Sequence, residues 1–409
     1  MKIIYLHQYF NTPEMSGGTR SYEMARRWVA AGHEVHVITA SIDAGSGRSW
    51  STTDVGGATI HWRAIPYDNS MGFRERVTAF FAFALAAAPL ARSLRGDVVF
   101  ATSTPLTIIF PAWYATILRR TPIVFEVRDL WPEMPIAAGY IRNPLLKWLV
   151  SGIERLAYKS SRRVVALSDG MADGVCAAGT PASKVVVAPN SCDVELFDIP
   201  EAFGSRYREQ QDWLGSRPFV AYCGAIGELN DVSYLVRLAA CMRVRDPDVV
   251  FGIYGTGKEE PKVRDLASTL GVLGVNLFMM GAIPKNQIPS VLSAASIVAS
   301  IFCPIPQMRV NSANKFFDGL AAARPIVINY EGWQASLLRA TGAGIVLDAY
   351  NVDRSAEELA AYLADPERLA IASVASRRLG NERFSRDRIA RIVLDTIEAA
   401  VRPSDGRGF

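Results

Sequence analysis

The sequence predicts an α/β protein of two doubly wound domains, each built on a parallel sheet. Short apolar runs rich in β-branched residues alternate with amphipathic helical stretches, and this alternation occurs twice along the 409 residues. Strands buried on both faces have such sequences, and the alternation implies right-handed crossovers within a parallel sheet. A polar stretch containing Pro200 and two glycines separates the two series. The predicted parts are a first domain at 1–198, a linker at 199–217 and a second domain at 218–384.

Each element follows from local periodicity. In the first domain the predicted strands are residues 2–7, 34–38, 59–64, 97–102, 122–126, 163–167 and 184–188. The clearest helix is 19–31, where Tyr22, Ala25 and Trp28 share one side of a 3.6-residue wheel and charged residues take the other. In the second domain the predicted strands are 218–223, 249–254, 276–280, 296–300, 325–329 and 344–347. A last amphipathic helix runs from residue 385 to about 401.

Composition and charge narrow the function classes. Hydrophobic residues make up 50% and charged residues 21% of the chain, as in ordinary folded proteins. A net charge of +4 is too small for a protein whose main task is to bind nucleic acid, so no nucleic-acid partner is expected. The five cysteines form no C-x-x-C pair, which argues against a disulfide framework and a zinc site and favours the cytoplasm. The first residues have the pattern of a buried strand, not of an export signal.

One apolar run has two interpretations. Residues 77–91 carry no charge and are flanked by Arg74, Arg76, Arg92 and Arg95. The run is shorter than a spanning helix needs to be. It is either a helix buried in the domain core or a helix that presses on an anionic lipid surface with the arginines at the headgroups.

Candidate binding loops follow from the sheet rule that open parallel sheets bind ligands at the carboxyl ends of their strands. After the first strand, Gly17 and Gly18 precede a helix without forming a G-x-G-x-x-G fingerprint. Glycines here let a ligand approach the backbone, or they only permit a turn.

In the second domain, glycines follow two neighbouring strands. Gly224 begins one loop, and Gly255-Thr256-Gly257-Lys258 forms the next. Lys258 is a cation at a helix start, where an anion is preferred, which makes sense if the anion is a ligand. The alternative for Lys258 is a solvated surface lysine.

The most informative stretch is residues 311–320. As a helix from Asn314, its apolar residues fall on one face, while Asn314 and Asp318 lie opposite with Lys315 beside them. A carboxylate can accept hydrogen bonds from both ribose hydroxyls and a lysine can meet a phosphate, so this set suits a nucleoside diphosphate. The alternative is an ordinary amphipathic helix with a solvated face.

Residues 126–133, EVRDLWPE, end a strand of the first domain with a dense group of charges around Asp129. Such density is costly unless it recognises a polar ligand, although a structural salt-bridge cluster is the alternative. There is no P-loop, no G-x-S-x-G elbow and no metal-ligand spacing among the four histidines. We therefore expect neither a metal nor a cofactor.

Taken together, these motifs resemble the retaining glycosyltransferases of family 4, which have the two-domain GT-B architecture. The chain is most similar to members that build O-antigens and capsules, including fucosamine-transferase-like enzymes. The resemblance covers nearly the whole chain. It is carried by residues 8–39, EVRDLWPE at 126–133, ALSDGM at 166–171, APNSCD at 188–193 and NKFFDGLAAARPIV at 314–327.

The resemblance implies that the second domain holds a sugar nucleotide, that the acceptor enters a cleft beside the first domain, and that residues 385–409 return to the first domain as a helix and tail. It places Asp318 on the ribose and Asp129 near the reaction centre. Catalytic roles are thus assigned to Asp129, Lys315 and Lys258. The implied donor-binding residues are Gly17, Gly18, Gly224, Gly255, Gly257, Ile283, Arg309, Ser312, Asn314 and Asp318.

Two positions depart from the family pattern. The first acid of the E-x7-E motif falls at Val310, and the loop at 227–231 carries acids where the family has an Arg/Lys pair. Neutralisation of the pyrophosphate must come from elsewhere, and Lys315, Lys258 and Arg309 are the candidates.

The expected function is retaining, metal-independent transfer of a hexose or aminohexose from a nucleoside-diphosphate sugar, with UDP expected. The expected acceptor is a hydroxyl of a growing cell-surface glycan or a polyprenyl-linked acceptor, and the expected location is the cytoplasm, with peripheral contact to anionic lipid of the inner membrane. The alternatives are a soluble natural-product acceptor, a UDP-sugar 2-epimerase and a non-catalytic nucleotide-binding module.

Overall fold

The computed structural model describes residues 1–15, 17–41, 49–67, 71–137 and 139–402. The chain divides into two compact units. The first unit comprises Met1–Asn11, Thr19–Pro189 and the chain from Asp387 onward, and the second comprises Thr12–Gly18 and Asn190–Arg386. The long segment of the first unit therefore ends at residue 189 and the second unit continues from residue 190, whereas the predicted boundary was residue 198.

An eight-stranded sheet forms the first unit within the described residues, in the order β3-β4-β2-β1-β5-β6-β7-β8. Its strands are β1 (Lys2–Leu6), β2 (Glu34–Ser41), β3 (Trp50–Val55), β4 (Ala58–Ala64), β5 (Val98–Thr102), β6 (Ile123–Val127), β7 (Arg163–Ala166) and β8 (Val185–Val187). Each predicted strand is present, with ends shifted by three residues or fewer. The unpredicted β3 pairs antiparallel with β4 at the sheet edge.

Helices cover both faces of this sheet. They are α1 (Arg20–Ala30), α2 (Phe73–Ser93), α3 (Ile109–Thr116), α4 (Glu133–Ala137), α5 (Pro144–Ser160) and α6 (Asp169–Ala177). The predicted first helix is confirmed as α1, which begins after Thr19 and buries Met24, Ala25 and Trp28. On the opposite face, α2, α3 and α5 share one core with β5 and β6.

The second unit is built on a parallel six-stranded sheet in the order β11-β10-β9-β12-β13-β14. Its strands are β9 (Phe219–Cys223), β10 (Val250–Tyr254), β11 (Leu277–Gly281), β12 (Ile297–Ser300), β13 (Ile326–Ile328) and β14 (Gly344–Val346), each within one residue of its prediction. Its helices are α7 (Val194–Phe197), α8 (Glu201–Glu209), α9 (Val232–Arg245), α10 (Glu260–Thr269), α11 (Ile288–Ala294), α12 (Asn314–Ala321), α13 (Trp333–Thr341), α14 (Val352–Leu363) and α15 (Pro366–Arg378).

The segment predicted as a linker, 199–217, is instead part of the second unit. It contains α8, where Gly204 lies directly against the backbone of Ser293 in α11. Leu214 is fully buried and shares a core with Phe219. The polar residues of α8 lie on its exposed side, which is why the sequence of this segment resembled a linker.

The last helix, α16 (Arg386–Val401), belongs to the first unit from Asp387 onward. Its apolar face, including Ile389 and Val393, packs in the same core as Tyr5 and Trp28. The indole nitrogen of Trp28 donates to the Ala390 carbonyl at 3.4 Å. The predicted tail beyond residue 402 lies outside the described residues.

The apolar run at 77–91 lies within α2 and has two different sides. Ala79, Phe83 and Ala87 are buried in the core of the first unit. Phe81 and Leu85 point outward, and Leu85 is 76% exposed. Among the described residues, none of the helices combines the length and apolar character needed to cross a bilayer.

Candidate functional site

Helix α12 forms the centre of the candidate site, in the second unit. It begins at Asn314 as predicted, after an extended Ala313 whose N–H donates to the Asn311 side-chain oxygen at 3.1 Å. Phe316 and Phe317 are buried on the apolar side. Lys315 and Asp318 are buried as well, so the alternative of a solvated polar face is wrong for these two side chains.

Lys315 lies in an aromatic cage that provides no negative charge. Its Nζ lies 4.0 Å from the centre of the Phe302 ring and 4.9 Å from that of Tyr222. It donates to the Tyr222 hydroxyl at 3.3 Å, and that hydroxyl donates to the Ala225 carbonyl at 2.7 Å. Asn230 contributes a neutral acceptor 2.8 Å from the same Nζ when its amide nitrogen donates to Ala225.

This environment makes the charged form of Lys315 costly. Burial lowers the pKa of the Lys315 ammonium to about 7. Among the described residues, no carboxylate forms an ion pair with it within 4 Å. A buried cation is normally paired, so this ammonium can be compensated by an anion that the chain itself does not supply.

Asp318, one turn later on α12, is already paired. Its carboxylate lies 2.6 Å from the Nζ of Lys285, and both side chains are buried. The Lys285 ammonium also lies 5.2 Å from the centre of the Phe197 ring. Lys285 thus fixes the carboxylate predicted to hold a ribose, and it leaves the second carboxylate oxygen as an acceptor.

The loop after β1 reaches this group, because residues 12–18 belong to the second unit. The Lys285 N–H donates to the Met15 carbonyl at 3.2 Å. A Cβ on Gly18 would lie 2.5 Å from the side-chain amide nitrogen of Asn314, so a larger residue there would have to displace that side chain. Gly17 adopts a φ of +128°, which also favours glycine. The structure therefore places Gly18 beside Asn314, and the contact of both residues with a donor stays a prediction.

The glycine loops after β9 and β10 differ in their relation to α12. Gly224 lies beside Lys315, since a Cβ there would be 3.5 Å from the Lys315 Cδ. Gly255 and Gly257 pack directly on the backbone carbonyls of Gly224 and Ile226. These two glycines are thus required for the close packing of two loops, and their contact with a donor stays a prediction.

The other two predicted cations, Lys258 and Arg309, have surroundings of their own. The Nζ of Lys258 lies 2.7 Å from Glu228, an acid of the loop at 227–231, so its charge is already compensated. Arg309 lines a cavity of about 350 Å³ with Tyr330 and Tyr350. Lys258 and Arg309 stay predictions for the pyrophosphate, with weaker structural support than Lys315.

Ser312 and Ile283 have structural contacts of their own. The Ser312 hydroxyl accepts from the Asn190 N–H at 2.9 Å, and both residues are buried. Ile283 follows β11 and packs against the core of the second unit. Both lie in the loops that flank the Lys285–Asp318 pair in sequence, and their direct contact with a donor stays a prediction.

In the first unit, Asp129 follows β6 at the carboxyl end of its sheet. Its carboxylate accepts from the Thr104 hydroxyl at 3.1 Å, and burial raises its pKa above the usual 3.8. Arg128 beside it donates to Nε2 of His7 at 3.4 Å. Burial and the nearby Arg128 keep the pKa of His7 well below 6.5, so His7 is neutral and acts as a hydrogen-bonding support for Arg128.

Glu126 of the same motif has a structural role. It is paired with Arg20 of α1 at 2.8 Å, and both side chains are almost fully buried. Thr102 donates to its other oxygen at 2.5 Å. The motif therefore contains the structural salt bridge of one interpretation, and a ligand-binding role for Asp129 stays a prediction.

Sequence patterns missed several residues of the site. Lys285 follows β11, and the rule on strand ends could have selected it. Tyr222 lies inside β9 and Phe302 just after β12, where both are indistinguishable from core residues. Among the described residues, no group of three or more His, Cys, Asp or Glu side chains could hold a metal ion.

Two family descriptions match the chain. A "Glycosyl transferase 4-like domain" matches residues 17–191, and "Glycosyl transferases group 1" matches residues 205–378. Together they span most of the sequence, with one match on each of the two sheets.

The chain is also similar in sequence to individual known proteins. The chain is 24% identical over 282 residues to WcaI of Escherichia coli K12, whose name describes a glycosyl transferase of colanic acid biosynthesis, covering 65% of this chain and 69% of WcaI. It is 26% identical over 298 residues to the alpha-maltose-1-phosphate synthase of Mycolicibacterium smegmatis, covering 69% and 74% of the two chains.

A solved structure of similar fold is that of HepE from Anabaena in complex with UDP and glucose. The TM-score is 0.73 at 15% identity, and the match covers 98% of this chain and 100% of HepE. At this identity the likeness establishes the fold.

Proposed function

Since the chain belongs to glycosyltransferase family 4 and has the GT-B fold, we propose that it is a retaining, metal-independent enzyme acting on UDP-sugars. It moves a hexose or an aminohexose to a hydroxyl of a growing cell-surface glycan or of a polyprenyl-linked acceptor. The enzyme works at the cytoplasmic face of the inner membrane, as a peripheral protein.

The observation that carries this proposal is the uncompensated ammonium of Lys315. A diphosphate placed against its Nζ would supply the negative charge that the aromatic cage lacks. The same contact strengthens as the sugar–phosphate bond breaks, because negative charge then builds on the departing phosphate. Lys315 is thereby suited to stabilise a leaving group without a metal.

The neighbouring groups suit the rest of a nucleotide. Gly18 and Gly224 leave backbone exposed to a diphosphate beside Asn314 and Lys315. Asp318, held by Lys285, accepts the ribose hydroxyls. In the reaction, the bond from C1 to the diphosphate oxygen breaks with its electron pair on that oxygen. The acceptor oxygen bonds to C1 from the same face, and its proton passes to the departing diphosphate.

The assignments of donor and acceptor are supported by similar proteins. UDP as the nucleotide is supported by HepE, which was solved with UDP and glucose. A cell-surface glycan as the product is supported by WcaI, named for colanic acid biosynthesis. The similarity to alpha-maltose-1-phosphate synthase favours a second candidate, in which a soluble sugar phosphate is the acceptor.

A donor and acceptor panel tests the proposal. UDP-, GDP- and dTDP-sugars are incubated with polyprenyl-linked and soluble acceptors, and release of the nucleoside diphosphate is measured together with the product mass. We expect acceptor-dependent release of UDP, an α-linked product from an α-linked donor by NMR, and full activity in the presence of EDTA. Release without an acceptor together with an epimerised sugar would indicate an epimerase, and binding without turnover a non-catalytic module.

A further inference from the structure

Helix α5 of the first unit carries an outward apolar face. Its inner side, with Ala157 and Tyr158, is buried in the core. Leu145, Trp148 and Leu149 lie on the opposite side, and Leu145 and Trp148 are each 71% exposed. Spacings of three and four residues place these side chains on one helix face. A tryptophan and two leucines so exposed on one helix face are unusual for a surface that meets only water.

The exposed charges on α5 are all positive. Lys147, Arg155 and Lys159 are its cations, and Arg142 precedes it. Its one acid, Glu154, is turned inward, where it accepts from the Tyr158 hydroxyl at 2.9 Å. The outward face of α5 therefore combines apolar side chains with charged side chains that are all cations.

A second exposed apolar surface lies on the same side of the sheet. It is formed by α2 and α3, whose Phe81 and Phe110 rings lie 6.2 Å apart between centres. Leu85 on α2 and Leu118 after α3 extend outward. Between residues 76 and 125 the sequence holds five arginines and a single acid, Asp97. Ten of the nineteen large hydrophobic residues exposed in the described chain fall between 81 and 156.

We propose that the outward face of α5, formed by Leu145, Trp148, Leu149, Arg155 and Lys159, is a docking surface for an anionic lipid bilayer. Apolar side chains enter the acyl boundary while neighbouring cations meet lipid phosphates. Tryptophan prefers this interface because its ring is apolar and its N–H is polar. The exposed α2–α3 surface is the second contact, which is needed since one short amphipathic face gives only weak attachment.

Charge is the reason for choosing a bilayer as the occupant. A face that presents cations without an exposed acid complements the uniform negative charge of anionic headgroups. A second copy of the chain would bring like charges together, which disfavours self-association through α5. The inference rests on the proposed function for its membrane location, and it deepens that location by naming the docking face. Docking is measured without donor or acceptor, so failure of docking and failure of the transfer reaction are distinguishable.

Vesicle flotation with the full chain tests the proposal. We expect binding to phosphatidylglycerol–phosphatidylethanolamine vesicles, little binding to pure phosphatidylcholine vesicles, and weaker binding as salt rises. Trp148→Ser combined with Leu149→Ser is expected to weaken binding on the order of tenfold. The matched control is Ile371→Ser with Val374→Ser on α15, which removes side chains of similar exposure (58% and 69%) and should bind like the unchanged protein.

A depth measurement makes the role of Trp148 specific. Lipids brominated on the acyl chain should quench part of the protein's tryptophan fluorescence, and Trp148→Phe should keep binding but lose that part. Absence of binding to anionic vesicles at low salt, or unchanged binding of the Trp148→Ser/Leu149→Ser variant, would overturn the proposal. So would sedimentation showing that this variant only converts a lipid-free dimer into monomers, because a second copy would then cover the face.

Discussion

Replacing Lys315 by methionine is expected to stabilise the ligand-free protein. Burial lowers the pKa of the Lys315 ammonium from 10.5 to about 7, so the native state carries this charge at a cost that the unfolded chain does not have. At about 1.4 kcal/mol for each pH unit between the two values, that cost is about 5 kcal/mol at and below neutral pH. Methionine keeps the apolar stem against Phe302 and Tyr222 and removes the charge, so we expect a gain of about 2–5 kcal/mol.

The gain in stability from Lys315→Met becomes smaller as the pH rises. Between pH 7 and 10.5 the unfolded chain binds the Lys315 proton and the native protein does not, so the stability of the unchanged protein rises with pH. The advantage of Lys315→Met should therefore fall from about 5 kcal/mol at pH 7 to about 2 kcal/mol at pH 9. Urea unfolding of both proteins at the two pH values measures it, provided that each unfolds in one transition.

Donor binding should change in the opposite direction. A diphosphate favours the charged ammonium, so binding to the unchanged protein is tightest below pH 7 and weakens by up to about tenfold per pH unit above it. Lys315→Met should bind the donor at least about tenfold more weakly at pH 7 and show little pH dependence. Calorimetric titration with a UDP-sugar between pH 6 and 8.5 gives both values. A variant that is less stable at neutral pH, or that binds the donor normally, would refute the reasoning.

Three further substitutions probe the other polar groups. Asp318→Asn leaves Lys285 as an unpaired buried cation, so the free energy of unfolding should fall by about 2–4 kcal/mol and donor affinity measured by calorimetry should drop. Normal values of both quantities would contradict the assigned ion pair. Glu126→Gln should cost about 3–5 kcal/mol in urea unfolding, since Arg20 stays buried without its partner, and a loss below 1 kcal/mol would show that the pair is not needed. Asp129→Asn should lower turnover by about 100-fold or more with donor affinity unchanged, because the carboxylate charge would no longer stabilise positive charge that builds on the sugar in the transition state. Because burial raises the pKa of Asp129, activity should fall on acidification at a higher pH than an exposed aspartate would give, and a flat pH–rate profile would exclude this role.

The sequence predicted the two sheets well because their strands are buried. Strands such as β5 and β9 are covered on both faces, which makes them continuous apolar runs that are easy to recognise. The edge strand β3 is mostly exposed, so its polar sequence, WSTTDV, resembles a loop. The error at 199–217 has the same origin, since α8 presents a polar side and local composition does not show that its other side packs on α11.

The candidate site was predicted only in part. Periodicity located Lys315 and Asp318 on one short helix, and it left open whether their face was solvated or bound a ligand. Burial of that face comes from Tyr222, Phe302 and Lys285, which lie on three other segments of the chain. A pattern within one helix cannot report such contacts, nor can it show that Glu228 already neutralises Lys258. Charge compensation across segments is thus the part of the site that required the structure.

The proposed function requires that α12 binds the diphosphate of a sugar nucleotide through Lys315. A crystal structure of the protein with an intact UDP-sugar tests it most directly. We expect a phosphate oxygen about 3 Å from the Lys315 Nζ, with the ribose hydroxyls on Asp318. A diphosphate bound elsewhere, with Lys315 still enclosed only by Tyr222, Phe302 and Asn230, would contradict it.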